Sequence, residues 1–488
     1  MASTATVPHY RVAVLGAGLS GLCMGIELRR HGVGDFVILE KADGVGGTWR
    51  ENTYPGVACD VPSHVYSFSF ELNPDWSQAF SPGEEIRRYC EHCVDKYGLG
   101  PHLRFGRTVT AVHFDGERWQ VRCADGTALS ADLVVSGLGG LHVPKHPELE
   151  GLDAFAGVRF HTAEWRHDHE LAGRRVALVG TGASAAQVLP AIASEVAEVT
   201  VFQRHAAWVF PRMARDVPPE RRALFRRHPA LLRAYRWLLW SLMDGLGIAS
   251  LRRGSGLNER VRRRALAHLE ASVSDPELRR KLTPDYDPGC KRRVISDDYW
   301  ASFERENVHL VTDPIVRVEP EGIRDATGRL HAVDTIVEAT GFRPFDITRW
   351  VDVRGRDGIR LADRWQEHVA SWRTVMVPGF PNFFTLLGPN SATGHTSALI
   401  MIEAQARFVA RCLRRLDRLG ARHVEPTEET TDRFNRRLQG AMGRMVFSGG
   451  CGSWYTDATD FNYTLWPWSA TRFVLDFLRR PERELATD

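Results

Sequence analysis

Cysteine is scarce in this sequence. Eight residues in 488, dispersed along the chain with no secretory start, exclude a disulfide framework and read as a reduced, intracellular protein. Cys90 and Cys93 form the single C-x-x-C pair. No second pair lies near them and residues 84–96 have a helical period, so they read as surface or packing thiols and not as zinc ligands; no metal site is expected. A strong charge of either sign is also missing. With 63 Lys and Arg interspersed among 60 Asp and Glu, the net charge is only +3, and nucleic-acid binding has little electrostatic support. Residues 1–10 lack the basic start and apolar run of a targeting peptide, which points to a cytoplasmic location. Long uninterrupted hydrophobic runs are absent too. The richest stretch, residues 231–251, is broken by Arg233, Arg236 and Asp244, whereas a spanning helix needs about 20 mostly apolar residues. It reads as a buried helix, with an amphipathic segment resting on a membrane surface as the alternative.

What is present is an ordinary globular composition, 43% hydrophobic and 25% charged, in a chain long enough for about three domain-sized units. The first strong pattern is an apolar strand, Arg11-Val12-Ala13-Val14-Leu15, running into Gly16-Ala17-Gly18-Leu19-Ser20-Gly21 and then a helical period. A second strand, Phe36-Val37-Ile38-Leu39, ends in Glu40, where a dinucleotide fold places an acid for a ribose hydroxyl. In such a turn Gly16 permits the tight bend, Gly18 lets the backbone approach a pyrophosphate and Gly21 allows close helix packing, while the helix N-terminus offers free N–H groups to the anion.

The pattern recurs. Arg175-Val176-Ala177-Leu178-Val179 leads into Gly180-Thr181-Gly182-Ala183-Ser184-Ala185, a helix, and the strand Val199-Thr200-Val201-Phe202. Here Gln203-Arg204 follows with no acid, and a cation at that place suits the additional phosphate of NADP. Two dinucleotide sites are therefore expected, in an α/β fold with the second Rossmann-like domain inserted in the first. The first domain takes residues 1–148, the second residues 149–334 with a helical insertion at about 213–283, and residues 335–488 return to the first domain with C-terminal helices over its sheet. In this division the strand-like segment 334–341 carries the chain back. Two redox dinucleotides in one chain suit hydride passage from nicotinamide to flavin. A dehydrogenase with one decayed copy is the plainer alternative, and a disulfide-reducing flavoprotein would need a paired-cysteine motif after the first unit. That place is instead occupied by Gly46-Gly47-Thr48-Trp49-Arg50-Glu51-Asn52-Thr53-Tyr54-Pro55-Gly56-Val57-Ala58-Cys59-Asp60.

These residues, with Phe155-Ala156-Gly157-Val158-Arg159-Phe160-His161-Thr162-Ala163-Glu164-Trp165, give the resemblance. The latter segment is similar to the F-x-G-x-x-x-H-x-x-x-W signature of flavin-dependent Baeyer-Villiger monooxygenases of the FAD and NADPH type, and residues 46–60 fit the same family's G-G-x-W, Y-P-G, D pattern. Ala339-Thr340-Gly341, Gly388-Pro389-Asn390 and Ser453-Trp454-Tyr455 extend the resemblance over nearly the whole chain. Two departures are Arg166, where many members carry Pro or Asp, and Asp460, where related segments carry glycine.

The resemblance implies NADPH reduction of bound FAD and insertion of one oxygen atom of O2 beside a ketone carbonyl through a C4a-peroxyflavin, giving an ester or lactone. In Pro288-Gly289-Cys290-Lys291-Arg292-Arg293 it makes Arg292 the catalytic cation, a suitable choice because guanidinium stays protonated at any working pH. Lys291 becomes a phosphate contact. Asp60 becomes the partner of Arg292, with a turn-capping role before Val61-Pro62 as the alternative. His161 joins Asp60 and Arg292 in the catalytic set as an orienting or domain-coupling residue, not a base, with plain packing as its alternative. The flavin site takes Gly16, Gly18, Ser20, Gly21, Glu40, Thr48, Trp49, Asp60, Tyr66 and Val109. The nicotinamide nucleotide takes Gly180, Thr181, Gly182, Ala183, Ser184, Gln187, Arg204, Lys291 and Trp454. A flavin monooxygenase acting on nitrogen or sulfur is the nearest rival, and it usually lacks the tryptophan at the place of Trp165. A non-catalytic nucleotide-binding protein is the remote one. Oligomeric state is not legible.

Overall fold

The computed structural model describes residues 7–344 and 347–488; the first six residues of the 1–10 segment read above for targeting lie outside the described residues. The apolar strand expected at the start forms as His9–Leu15. It pairs in parallel with Phe36–Leu39 on one side and Ala128–Ser136 on the other. Beyond Ala128–Ser136 the sheet continues antiparallel through Trp119–Cys123 and Val109–Phe114. All four residues of Phe36–Leu39 are buried, as a parallel strand covered on both faces requires. The glycine-turn helix Leu19–Arg30 is buried from Leu19 through Leu28. It packs between the helices Gly83–Lys96 and Ala398–Leu419, so the C-terminal helix covers the first sheet as expected. Cys90 and Cys93 lie wholly inside this layer as packing thiols, and burial pushes the Cys93 thiol up to about 12.

The second sheet holds five parallel strands in the order Val308–Val311, Glu198–Phe202, Arg175–Val179, Thr335–Glu338, Val158–His161. One expectation is corrected here. Thr335–Glu338 does not carry the chain back to the first sheet but lies between Arg175–Val179 and Val158–His161, with Val337 opposite both Leu178 and Phe160. Four fully buried residues make it a central strand, which extends the second sheet past the expected boundary at 334. The return is made by two later strands, Asp352–Arg354 beside Val109–Phe114 and Phe383–Thr385 beside Ala128–Ser136. A three-stranded meander, Ile315–Glu319, Gly322–Asp325 and Leu330–Ala332, packs on the second sheet. Between the two units, residues 143–145 and 341–343 run side by side; Lys145 N–H donates to Gly341 O and Arg343 N–H to Val143 O.

The helical insertion forms four helices, Pro219–Arg227, Pro229–Ser250, Gly256–Ser272 and Pro276–Leu282. The buried-helix reading of residues 231–251 holds on one face only, where Leu239, Trp240, Met243 and Ile248 are partly buried against the first core. In Pro229–Ser250 only Leu232, Arg236, Asp244 and Ser250 are buried, whereas Leu231, Trp237, Leu238, Leu242 and Leu246 are exposed. The charges face inward because each has a partner there. Arg236 donates to Ser67 O at 3.2 Å, and Asp244 accepts from His395 and from the first N–H groups of the helix Ala470–Leu478. Burial of a charge is tolerated where it is hydrogen-bonded, and here that outweighs the apolar periodicity. Among the described residues no helix is long and apolar enough to cross a membrane.

Candidate active site

The glycine turns show why glycine stands where it does. Gly16 has φ +91°, and a Cβ on Gly21 would lie 1.8 Å from Gly16 O. The second turn repeats this at Gly180, with φ +120° and a Cβ that would lie 2.4 Å from Ala339 O. Both turns end in a glycine N-cap without a side chain, Gly18 and Gly182, so the leading N–H groups of Leu19–Arg30 and Ala183–Ile192 stay available to an anion. Both open into one cleft of about 2260 Å³ that runs between the sheets. Two cradles for a pyrophosphate in a single cleft are the geometry that two dinucleotides require, and the residues present fit FAD in the first and NADP in the second.

Around the first cradle, Ser20, Glu40, Thr48, Trp49, Tyr66 and Val109 all line the cleft. Glu40 is held rigidly, accepting from Ala17 N–H at 2.7 Å and Ala42 N–H at 2.9 Å, so its carboxylate stands at the end of the second strand as expected. Trp49 donates its indole N–H to the Tyr66 hydroxyl at 3.1 Å, which orients both rings. Around the second cradle, Thr181, Ala183, Ser184, Gln187, Arg204, Lys291 and Trp454 line the cleft. Lys291 and Arg204 form a positive group, with His205 held neutral beside them. Burial and the Arg204 charge pull the Lys291 ammonium below its usual range, and burial with Lys291 and Arg204 does the same to His205. Cations that raise one another's cost leave the place favourable to a phosphate.

Between the cradles stands the ion pair. Arg292 Nη2 donates to Asp60 Oδ2 at 2.8 Å, and 44% of the arginine side chain is open to the cleft. Removal from water works against the guanidinium charge, but the Asp60 carboxylate outweighs it and the net shift is upward, so the group stays cationic. The other Asp60 oxygen accepts from Gln187 Nε2 at 3.3 Å. Gln187 also accepts from the Tyr54 hydroxyl at 3.0 Å and donates to Ala58 O at 3.0 Å. One side chain of the second unit thus clasps the 54–60 segment of the first. Tyr54 and Tyr455 were missed by the sequence reading as members of this site, although both stand in motifs it quoted; each is buried beside Arg292, and burial pushes each hydroxyl up to about 12.

His161 does not join Asp60 and Arg292. It is fully buried, does not line the cleft, and its Nδ1 accepts from Ala163 N–H at 3.1 Å as the cap of a short helical turn. Its ring makes edge contacts at 5.7 Å with His146 and Phe342, beside the paired connection between the units. It stands outside the cleft lining and beside the connection between the units, a place compatible with the orienting or domain-coupling role expected for it and not with a base in the cleft. Asp460 adopts φ +63°, the left-handed region, which accounts for the glycine that related segments carry there.

The reading of all cysteines as reduced thiols is also overturned. Cys290 is bonded to Cys451 across 161 residues, while the other six cysteines are free and buried. The fold brings the two together because the segments bearing Lys291-Arg292 and Trp454-Tyr455 meet at the cleft. Nothing in their sequence spacing indicates it.

Comparison with known proteins agrees with this geometry. Residues 13–225 match the pyridine nucleotide-disulphide oxidoreductase family. A Baeyer-Villiger monooxygenase of Streptomyces coelicolor is 44% identical over 469 residues, covering 95% of this chain and 90% of that protein. The crystal structure of cyclohexanone monooxygenase from Rhodococcus sp. Phi1 bound to NADP+ superposes with a TM-score of 0.89 at 27% identity, over 99% of this chain and 100% of the other. A crystal structure of OTEMO in complex with FAD and NADP superposes with a TM-score of 0.87 at 25% identity, over 99% and 100%. With two glycine cradles, an Arg292–Asp60 pair between them and relatives of this closeness, the chain belongs to the Baeyer-Villiger monooxygenase family.

Proposed function

We propose that the protein uses NADPH and O2 to convert a ketone to an ester or lactone. One atom of O2 enters the product beside the carbonyl and the other leaves as water, while NADPH and a proton yield NADP+. FAD, when bound, supplies the oxygen-activating chemistry, and NADPH supplies its reducing equivalents. Arg292 faces the cleft as a permanent cation and stabilises negative charge on the attacking oxygen and on the carbonyl oxygen as it becomes tetrahedral. Asp60 fixes the guanidinium plane and offsets its charge, so that a hydride donor's developing positive charge is not repelled. Gln187 sets the position of Asp60. Lys291 and Arg204 hold the additional phosphate of NADPH, and Trp454 packs against the bound nucleotide.

The observation that carries this reading is the placement of the Arg292–Asp60 pair in the one cleft that both glycine cradles enter. The test is to supply the FAD-loaded protein with NADPH, isotopically labelled dioxygen and cyclic, linear and aryl ketones. Esters carrying a single labelled oxygen are expected. NADPH oxidation with hydrogen peroxide as the sole oxygen product, or sulfoxidation with no ester from any ketone, would overturn the proposal.

A further inference from the structure

The helix Pro229–Ser250 turns an unbroken apolar face to solvent. Leu231, Leu238, Leu242 and Leu246 fall within one stripe, spaced seven, four and four residues apart; Trp237, 64% exposed, stands about 100° further round the helix on the side of Arg233. The only charges past Arg233, Arg236 and Asp244, are buried and hydrogen-bonded on the opposite side, so no charge interrupts the stripe. Large exposed apolar patches on a folded chain mark a contact surface.

Charge decides what covers it. Residues 213–283 contain sixteen Lys and Arg against seven Asp and Glu, a local net charge of +9 in a chain whose whole net charge is +3. Exposed Arg227 precedes the stripe, exposed Arg233 lies just past its first leucine, and exposed Arg252 and Arg253 follow it, while Arg226 is paired with Asp75. A second copy meeting this face about a twofold axis would bring two such cationic insertions together, which charge repulsion disfavours. An anionic lipid surface is complementary in both respects, taking leucines below the headgroups, the tryptophan at the interface and arginines on the phosphates. We propose that this helix docks the protein on the surface of an anionic bilayer, lying in the interface without crossing it. Leu242 and Leu246 also line the cleft, so docking sets that side of it against the lipid. The inference does not depend on the reaction assigned above.

The test is co-sedimentation of the FAD-loaded protein with sucrose-filled vesicles of phosphatidylcholine alone or mixed with phosphatidylglycerol. Binding is expected to the mixed vesicles, to weaken with added salt, and to fall on the order of tenfold or more in Trp237→Ser/Leu238→Ser. FAD absorbance and turnover of a small water-soluble ketone should stay unchanged in that variant. Should the variant lose FAD, hydrogen–deuterium exchange on the wild-type protein decides: protection over residues 229–250 on adding mixed vesicles supports the proposal. Equal sedimentation with both vesicle types at every salt level, no sedimentation with either, absence of that protection, or a dimer in light scattering that the double substitution dissociates would overturn it.

Discussion

Arg292 and Asp60 meet at 2.8 Å although 232 residues separate them, and they belong to segments anchored in different units of the fold. The pair is a bond between domains as well as a charged group at the reaction site. Gln187 reinforces it from the second glycine helix, so the position of the guanidinium depends on how the two units are held. The same cleft edge is tied covalently, since Cys290 stands two residues before Arg292 and is bonded to Cys451.

Replacing Arg292 by alanine removes the cation where negative charge develops. Ester formation should fall by about 10²–10³-fold or more, the loss typical of an oxyanion donor. FAD binding and NADPH oxidation should persist, because neither glycine cradle is touched. Product analysis alongside NADPH consumption checks this, and ester formation at the normal rate in the variant would remove Arg292 from its role.

Arg204→Ala should raise the KM for NADPH by roughly tenfold to a hundredfold, the worth of one charge-assisted hydrogen bond to phosphate. The KM for NADH should change little and FAD content not at all. An unaltered ratio of the two KM values would show that Arg204 does not read the phosphate.

Cys451→Ala opens a loop of more than a hundred residues and frees the Lys291-Arg292 segment from the Trp454-Tyr455 segment. A loss of about 2–4 kcal/mol in stability is expected, typical of a native disulfide. Thermal unfolding of the wild-type protein under reductant should approach that of the variant. Coincident melting curves for oxidised wild-type protein and variant would mean that the bond carries no stability.

Acid stability should depend in part on His161. Burial and the neighbouring His146 hold its pKa down to about 4, against about 6.5 in an unfolded chain. The unfolded chain therefore takes up a proton that the folded one refuses, so stability is full above about pH 6.5 and is lost as pH falls towards 4, by roughly 3 kcal/mol at most. His64, buried and held near 4 mainly by burial, acts in the same direction. His161→Asn can keep the cap on Ala163 N–H without titrating there, and should flatten the acid limb of a stability curve measured by denaturant. An unchanged limb would assign the acid sensitivity elsewhere.

Local pattern was sufficient for much of this protein. Both strand, glycine turn and helix units were legible because a tight turn against a pyrophosphate needs glycines at set spacings, and Glu40 and Arg204 followed from the ends of the next strands. The motif at 46–60 and the Lys291-Arg292 pair were readable through resemblance. What escaped depended on contacts between distant segments. Thr335–Glu338 has the composition of any buried parallel strand, and only pairing decided that it belongs to the second sheet. The apolar run 231–251 looked buried because hydrophobicity alone cannot say which way a helix faces; Ser67, His395 and the N-terminus of Ala470–Leu478 supply partners that draw its charges inward instead. Cysteine spacing carries no trace of the Cys290–Cys451 bond, and His161 keeps its place in a signature while lying behind the cleft wall. Sequence thus determined which cofactors the chain is built to hold, since those turns are local backbone geometry. Tertiary structure decided which side chains reach the cleft and which surface faces outward, because both follow from partners far away along the chain.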